Sequence, residues 1–184
     1  MSTQLQELSQ QFETRFRQLV PFEQEPRNLY EPCAYLLQLG GKRIRPVLCL
    51  MAAQAFDADQ EDAYHIAAAI ELFHNFTLIH DDIMDQAPLR RHQGTIHEKW
   101  NPNIAILTGD VLMIKAYQQL GKIKPECLPE AFEIFNKTAI EVCEGQQMDM
   151  EFETRGDVSI SEYMEMIRLK TAVLLACALK TGSI

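Results

Sequence analysis

Apolar residues recur three and four positions apart along almost the whole of this 184-residue chain, and no segment alternates apolar with polar residues between hairpin turns. A sequence patterned this way buries its side chains as helices packed face to face, so the expected fold class is all-α. The breaks fall where helix-stopping chemistry is concentrated: Pro21 and Pro26, Gly40-Gly41, Pro88, Gly94, Asn101-Pro102, Gly121 with Pro125, and Gly156. Between them the spacing predicts helices over 2–19, 28–39, 44–56, 60–85, 103–120, 128–154 and 160–181. Ser159 and Ser161 ahead of Glu162 offer N-cap chemistry for the last helix, and Pro129 suits a first turn. A single domain over residues 1–184 is expected, without internal repeat, low-complexity tract or linker.

With 47% hydrophobic and 23% charged residues, the chain has enough apolar side chains for a sizeable core. Its formal net charge of −9 argues against nucleic-acid binding, which normally needs a basic face. Cys33, Cys49, Cys127, Cys143 and Cys177 are scattered, odd in number and without a CxxC pair, so neither a zinc knuckle nor a disulfide framework is expected. Most should be buried thiols. The polar start, Met1 to Glu7, lacks the basic and apolar regions of a secretory signal. The most apolar run, Ala172 to Leu179, is far shorter than the ~20 residues of a transmembrane segment. A soluble cytoplasmic protein is the expectation.

The predicted helix over 60–85 carries Ile66, Ala67, Ile70, Phe73, Phe76 and Thr77 at helical spacing, yet it ends on Asp81, Asp82 and Asp85. Carboxylates there meet the negative end of the helix dipole, so clustering them costs stability unless a cation compensates. Asp81 and Asp85 share a face with Cβ atoms about 6 Å apart, while Asp82 points roughly 100° away. Two converging carboxylates form an incomplete cage of hard oxygens, suited to Mg2+ that keeps several waters and is shared with substrate phosphates.

Alone, such a run equally describes a solvated acidic helix end. Its context favours the metal. Arg90-Arg91 follow closely, and upstream lies Gly40-Gly41-Lys42-Arg43-Ile44-Arg45-Pro46, where a double glycine leads into a basic helix start. Guanidinium groups grip diphosphate oxygens in pairs, and glycines let backbone amides and helix N-termini approach an anion. Each basic pair alone fits a solvated surface patch; together, in an acidic chain, they point to diphosphate.

These pieces resemble the trans-prenyltransferase (polyprenyl synthetase) family, the head-to-tail synthases of farnesyl, geranylgeranyl and longer polyprenyl diphosphates. The resemblance rests on GGKRIRP at 40–46, HNFTLIHDDIMD at 74–85, Leu89-Arg90-Arg91, Thr108-Gly109-Asp110, Glu144-Gly145-Gln146 with Asp149, and Lys170-Thr171. They stand in family order, with family-like spacing, over nearly all of the chain. The resemblance implies an isoprenoid-synthase-type bundle of helices around a deep central cavity, normally as a homodimer. It implies that Lys42, Arg45, His74 and Arg91 bind the diphosphate of isopentenyl diphosphate. Asp81 and Asp85 would coordinate Mg2+, with Asp82 supporting the cluster. Arg90, Lys170 and Thr171 would hold the allylic diphosphate, and Gln146 and Asp149 would orient a phosphate or metal-bound water. The implied reaction is ionisation of the allylic diphosphate, attack by the isopentenyl alkene, and loss of a proton to the departing pyrophosphate.

Other residues are read more modestly. His80 suits a structural hydrogen bond as well as a ligand contact, His92 and His97 are placed in surface loops, and His65 has no assigned part. Lys170 on an otherwise apolar face calls for an anionic partner. Met148, Met150, Met164 and Met166 read as core filler. Phe76, five residues before Asp81, with Thr77 beside it, would by resemblance limit product growth to farnesyl or geranylgeranyl length.

Family members are about twice as long and carry a second aspartate-rich motif that this sequence does not contain. A truncated or partial polypeptide is therefore expected, with an open cavity wall, exposed apolar surface and little activity by itself. A class I terpene cyclase shares the aspartate logic but needs no isopentenyl site. A non-catalytic subunit of a heteromeric synthase, or an inactive fragment, is the remaining alternative.

Overall fold

A computed structural model describes residues 3–184, with side chains from Leu5 onward. The helices are α1 (Thr3–Leu19), α2 (Arg27–Gln38), α3 (Ile44–Ala55), α4 (Gln60–Met84), the short α5 (Ile96–Lys99), α6 (Pro102–Leu120), α7 (Leu128–Phe152), α8 (Ile160–Ile167) and α9 (Val173–Gly182). Between α4 and α5 lies a small antiparallel hairpin, β1 (Leu89–Arg90) and β2 (Gln93–Gly94), with Leu89 opposite Gly94 and Arg90 opposite Gln93. All seven predicted helices are present, and the all-α class holds. Position 2 of the first predicted helix lies outside the described residues.

Local chemistry explains the boundaries. Asp59 caps α4 by accepting from the amides of Glu61 at 2.9 Å and Asp62 at 3.1 Å. Asn101 caps α6 through the Ile104 amide at 2.9 Å, with Pro102 in the first turn. Ser159 and Glu162 form a reciprocal capping box at the start of α8.

The bundle is organised around α4, which packs mainly between α3 and α6 and also meets α1 and α9. Along one stretch it is buried on every side: Ala67, Ala68, Ala69 and Ile70 are inaccessible, and Leu72 and Phe73 nearly so. A helix apolar all round belongs in the middle of a bundle, and its alanines let neighbouring backbones come close. Phe73 meets Phe135 of α7 edge-on at 5.3 Å, tying the centre to the far wall. Cys33, Cys49 and Cys177 are buried thiols, Cys127 is half-buried and Cys143 is exposed. Burial pushes the Cys33 thiol up to about 12 and the Cys177 thiol up to about 11. Among the described residues, no helix is long and apolar enough to cross a membrane.

Three sequence expectations need correction. Met150 and Met164, read as core filler, are 40% and 58% exposed at the surface. The predicted last helix is interrupted: α8 gives way to a π-helical turn, Arg168–Ala172, before α9. An inserted residue leaves no mark on apolar spacing over one turn. The segment after Pro88, read as loop, folds into the hairpin and α5, and His97 on α5 is half-buried, its side chain 9% exposed, rather than a surface-loop residue. His92, in the hairpin turn, is exposed as expected.

Candidate active site

The carboxyl half of α4, α7, the π-helical turn and the start of α9, with Arg45 of α3, enclose a cavity of about 250 Å³ whose lining includes Phe76, Thr77, Asp81, Gln146, Lys170 and Thr171. Here the electrostatic conflict at the end of α4 is resolved. Asp82 is buried, and Arg90 of β1 donates from Nε to its two oxygens at 2.9 and 2.8 Å and from Nη2 to Asp81 Oδ2 at 3.2 Å. Burial works against the Arg90 charge, but Asp82 and Asp81 outweigh it and hold its pKa above the ordinary value. The hairpin that carries Arg90 is fastened by Tyr35 of α2, whose hydroxyl donates to the Gly94 carbonyl at 2.8 Å. Arg91 and His92 take the left-handed turn positions, at φ 53° and 65°.

Lys170 supplies the second compensating cation. Its ammonium donates to Asp149 Oδ2 at 2.5 Å and lies 3.0 Å from Asp81 Oδ1. Burial opposes this charge, yet Asp149 and Asp81 together hold the Lys170 pKa above normal. The π-helical turn brings Lys170 here, packed against Gly145 of α7: a Cβ on Gly145 would run into the Lys170 backbone nitrogen and the Leu169 carbonyl carbon. Such turns re-aim side chains at functional sites. Gln146 lies one residue further along α7, with Nε2 3.7 Å from the Met84 sulfur.

The donor set fits a hard divalent cation in part. Among the described residues, Asp81 Oδ1 is buried and accepts no hydrogen bond, with the Lys170 ammonium 3.0 Å away but misaligned. Burial, then Asp81, and to a smaller extent Asp149 and Glu153, push the Asp85 carboxyl up, against the pull of Lys170. Crowded carboxylates of this kind favour a cation. Among the described residues no three His, Cys, Asp or Glu side chains close around one point. The set suits Mg2+ that completes its shell with water and phosphate rather than a cage made wholly by the chain.

A second, basic pocket of about 450 Å³ adjoins the first and shares Arg45 and His74 with it; Lys42, Arg43, Glu71 and Arg91 are among its other walls. Arg45 Nη1 lies 3.1 Å from His74 Nε2. Burial, reinforced by Arg45, Arg91, Arg90 and Arg43, lowers the His74 pKa to about 3, so its imidazole is neutral at physiological pH. Burial also lowers Arg45, with Glu71 acting against it. Lys42 is exposed at the rim.

The structure thus brings Lys42, Arg45, His74, Phe76, Thr77, Asp81, Arg91, Gln146, Lys170 and Thr171 into the walls of two adjoining pockets, one mixed in charge and one basic, whereas Asp82, Asp85, Arg90 and Asp149 line neither; Asp82 and Asp149 connect to the first pocket through Arg90, Asp81 and Lys170. Thr77 and Thr171 are on the first cavity's wall, although the Thr77 hydroxyl turns back to the His74 carbonyl at 2.8 Å. His80 also lines it, 3.3 Å from the Ile106 carbonyl and with its ring edge-on to Phe76 at 4.6 Å. His65, without an assigned part, makes a buried contact with Gln119 Oε1 at 2.8 Å and lies outside both pockets. Sequence reasoning missed the buried pair of Arg43 and Glu71. Its signal was a lone glutamate between Ile70 and Leu72 in an otherwise apolar run, which needs a partner once buried.

Comparison with known proteins agrees with this arrangement. The polyprenyl synthetase family pattern matches residues 26–184. A geranylgeranyl diphosphate synthase of Methanosarcina mazei is 45% identical over 161 residues, 86% of this chain and 50% of that protein. A short chain isoprenyl diphosphate synthase of Methanothermobacter thermautotrophicus is 42% identical over 181 residues, 98% of this chain and 55% of its own. Among solved structures, a geranylgeranyl pyrophosphate synthase superposes with TM-score 0.94 at 49% identity over 100% of this chain and 55% of that one. The geranylgeranyl pyrophosphate synthetase of the archaeon Geoglobus acetivorans gives 0.93 at 40% identity, over 97% of this chain and 59% of that one. The chain spans about half the length of the curated relatives it matches. The bundle, the motifs in their order and these likenesses establish that the chain belongs to the polyprenyl synthetase family.

Proposed function

We propose that this chain forms part of a short-chain trans-prenyl diphosphate synthase that joins isopentenyl diphosphate to an allylic diphosphate. The observation that carries this reading is the pair of adjoining pockets, one mixed in charge and one basic, that share Arg45 and His74. A reaction with one diphosphate substrate needs one such site. Condensation of two needs both, a few ångströms apart, with an apolar space beyond.

In this reading Asp81 and Asp85 hold Mg2+, and Asp82 and Arg90 fix the Asp81 carboxylate in place. The metal, when bound, supplies charge neutralisation for the leaving diphosphate. Lys170, Thr171, Arg90 and Gln146 bind the allylic diphosphate. As its C–O bond breaks, the Lys170 ammonium stabilises the growing negative charge on pyrophosphate. Lys42, Arg45 and Arg91 hold the isopentenyl diphosphate, with His74 as a neutral hydrogen-bonding partner. This orients its alkene so that the π electrons form the new carbon–carbon bond to the allylic carbon. The proton lost next passes to pyrophosphate, which explains why the cavity offers no dedicated side-chain base.

Phe76 on the cavity wall, steadied by Phe73 and His80, blocks elongation, so the product is of farnesyl or geranylgeranyl length. Relatives named for geranylgeranyl diphosphate synthesis support that range. A homodimer in the cytoplasm is part of the proposal. Exposed apolar side chains on α6 and α7, Ile114 and Ile140 among them, supply a surface for such pairing.

The test is condensation of radiolabelled isopentenyl diphosphate with geranyl or farnesyl diphosphate by the intact protein, with Mg2+ or with EDTA. The expected result is a metal-dependent, acid-labile prenyl product that Asp81→Ala abolishes. No extended product under any primer, or product in EDTA, overturns the reading.

A further inference from the structure

One buried and fully bonded charge has no part in the scheme above. Arg43 is buried, yet it stands between Lys42 and Arg45 in the basic segment. Its guanidinium donates to Glu13 Oε1 of α1 at 2.5 Å, to the Leu37 carbonyl of α2 at 3.0 Å, and to Glu71 Oε1 of α4. Its own backbone is the N-cap of α3, in the left-handed region at φ 47°. A residue with a side chain holds that conformation only when its surroundings enforce it. Asn75 completes the network, donating from Nδ2 to Glu71 Oε1 at 3.1 Å and to the Glu71 carbonyl at 2.7 Å.

We propose that Arg43 is the positioning residue of the basic pocket: it pins the turn that presents Lys42 and Arg45, and it occupies Glu71 so that this carboxylate does not neutralise Arg45. This rests on the reading of that pocket as a diphosphate site. Glu71 lines the same pocket as Arg45 and Arg91. Among the described residues neither Arg45 nor Arg91 nor Lys42 has a carboxylate at ion-pair distance, whereas Arg43 has two. Arg45 Nε is buried without an acceptor. Two guanidiniums and an ammonium with unspent donors beside one satisfied carboxylate make a pocket that attracts an anion, and the state of Glu71 decides whether it stays that way. Without Arg43, Glu71 is left as a buried charge whose field already falls on Arg45 and Arg91, the pocket's other guanidiniums.

The probe is inorganic pyrophosphate without divalent metal, titrated calorimetrically into wild type, Arg43→Met, Arg43→Lys, Arg45→Met, the Arg43→Met/Arg45→Met double variant and Glu13→Gln. Arg43→Met is expected to weaken binding about tenfold or more, comparable to Arg45→Met, because a charge-assisted bidentate contact is lost in both. Arg43→Lys, which keeps the charge facing Glu71 but not the three-way fork, recovers part of that loss. In the double variant the two losses do not add, since Arg43 acts through Arg45; a merely structural role would make them add. Additive losses, or wild-type affinity in Arg43→Met, overturn the proposal. Should Arg43→Met fail to give a cooperative melt, Glu13→Gln decides: a loss of roughly twofold to fivefold supports the proposal, and unchanged affinity overturns it. No saturable binding by wild type overturns the diphosphate reading itself and this inference with it, an outcome distinct from normal wild-type binding with an indifferent Arg43.

Discussion

Replacing Gly145 by alanine tests whether the crossing of α7 and the π-helical turn sets the site. A Cβ at this position meets the Lys170 amide nitrogen, the Leu169 carbonyl carbon and the Leu169 Cβ inside van der Waals contact. Two of those atoms are main chain and cannot rotate away, so α7 and the turn must separate. Overpacking of this kind costs about 1–3 kcal/mol. Against it stands the gain in helix propensity from Gly to Ala, about 1 kcal/mol. With backbone as the obstacle the upper part of the range applies, leaving a net loss of about 2 kcal/mol. For a chain of this size that lowers the melting temperature by about 4–8 °C. Gly121→Ala is the matched control: there the nearest atoms to a new Cβ are the Tyr117 and Gln118 carbonyl oxygens at 3.5 and 3.8 Å, ordinary contacts. It should melt with wild type or a little above it. Far-UV circular dichroism melts of the three proteins decide the matter. A Gly145→Ala protein as stable as wild type refutes the close-approach argument, and with it the idea that Gly145 fixes Lys170 between Asp81 and Asp149.

Three further outcomes follow from the site. Arg90→Met strips Asp82, 3% exposed, of its partner and should cost about 3–5 kcal/mol in urea denaturation; Asp82→Asn in the same background should return part of it, and an unaffected midpoint in the single variant contradicts the pairing. His74 has a folded pKa of about 3 against 6.5 in the unfolded chain, so its contribution to stability is complete above pH 6.5. As pH falls, only the unfolded chain takes up this proton, and the contribution is lost between pH 6.5 and 3, by at most about 1.4 kcal/mol per pH unit. Urea midpoints at several pH values should therefore drop more steeply for wild type than for His74→Gln, and parallel curves sink the assignment. Phe76→Ala in the intact synthase should shift dephosphorylated prenols toward longer chains on chromatography, whereas an unchanged distribution removes Phe76 from the role of floor.

How much of this was legible beforehand depends on the length scale of each cause. Helix class and number follow from periodicity summed over ten or more residues, so α4 and α7 were readable to within a few positions. The hairpin at 89–94 is two residues per strand, too short for any alternation, and the tie that stabilises it comes from Tyr35, far upstream. The π-helical turn is invisible for a similar reason: its cause is the packing of Leu169 and Lys170 against Gly145, a tertiary fact. Residue identity in the site was legible because DDxxD, Arg90-Arg91 and GGKRIRP are local strings. What no local string could say is which partners hold them.

The aspartates show the difference most clearly. Three carboxylates at the negative end of a helix call for a cation, and the sequence context points to Mg2+ shared with substrate phosphates. In the folded chain Arg90 and Lys170 already meet much of that demand, one clamping Asp82 and the other bridging Asp81 and Asp149. Compensation by side chains and a role in metal binding do not conflict. Half-buried cations balance these carboxylates, yet among the described residues Asp81 Oδ1 accepts no hydrogen bond and Asp85 is crowded by like charge. In the proposed reaction Lys170 would exchange partners, from the carboxylates before substrate binds to the diphosphate after it. A lysine suits this exchange better than an arginine would, because its point charge can change partners without satisfying a planar fork. Arg90, bonded to both oxygens of a buried aspartate, is the more firmly held of the two, so in the proposed reaction it would keep Asp82 and reach the diphosphate through its remaining donors while Lys170 changes partner.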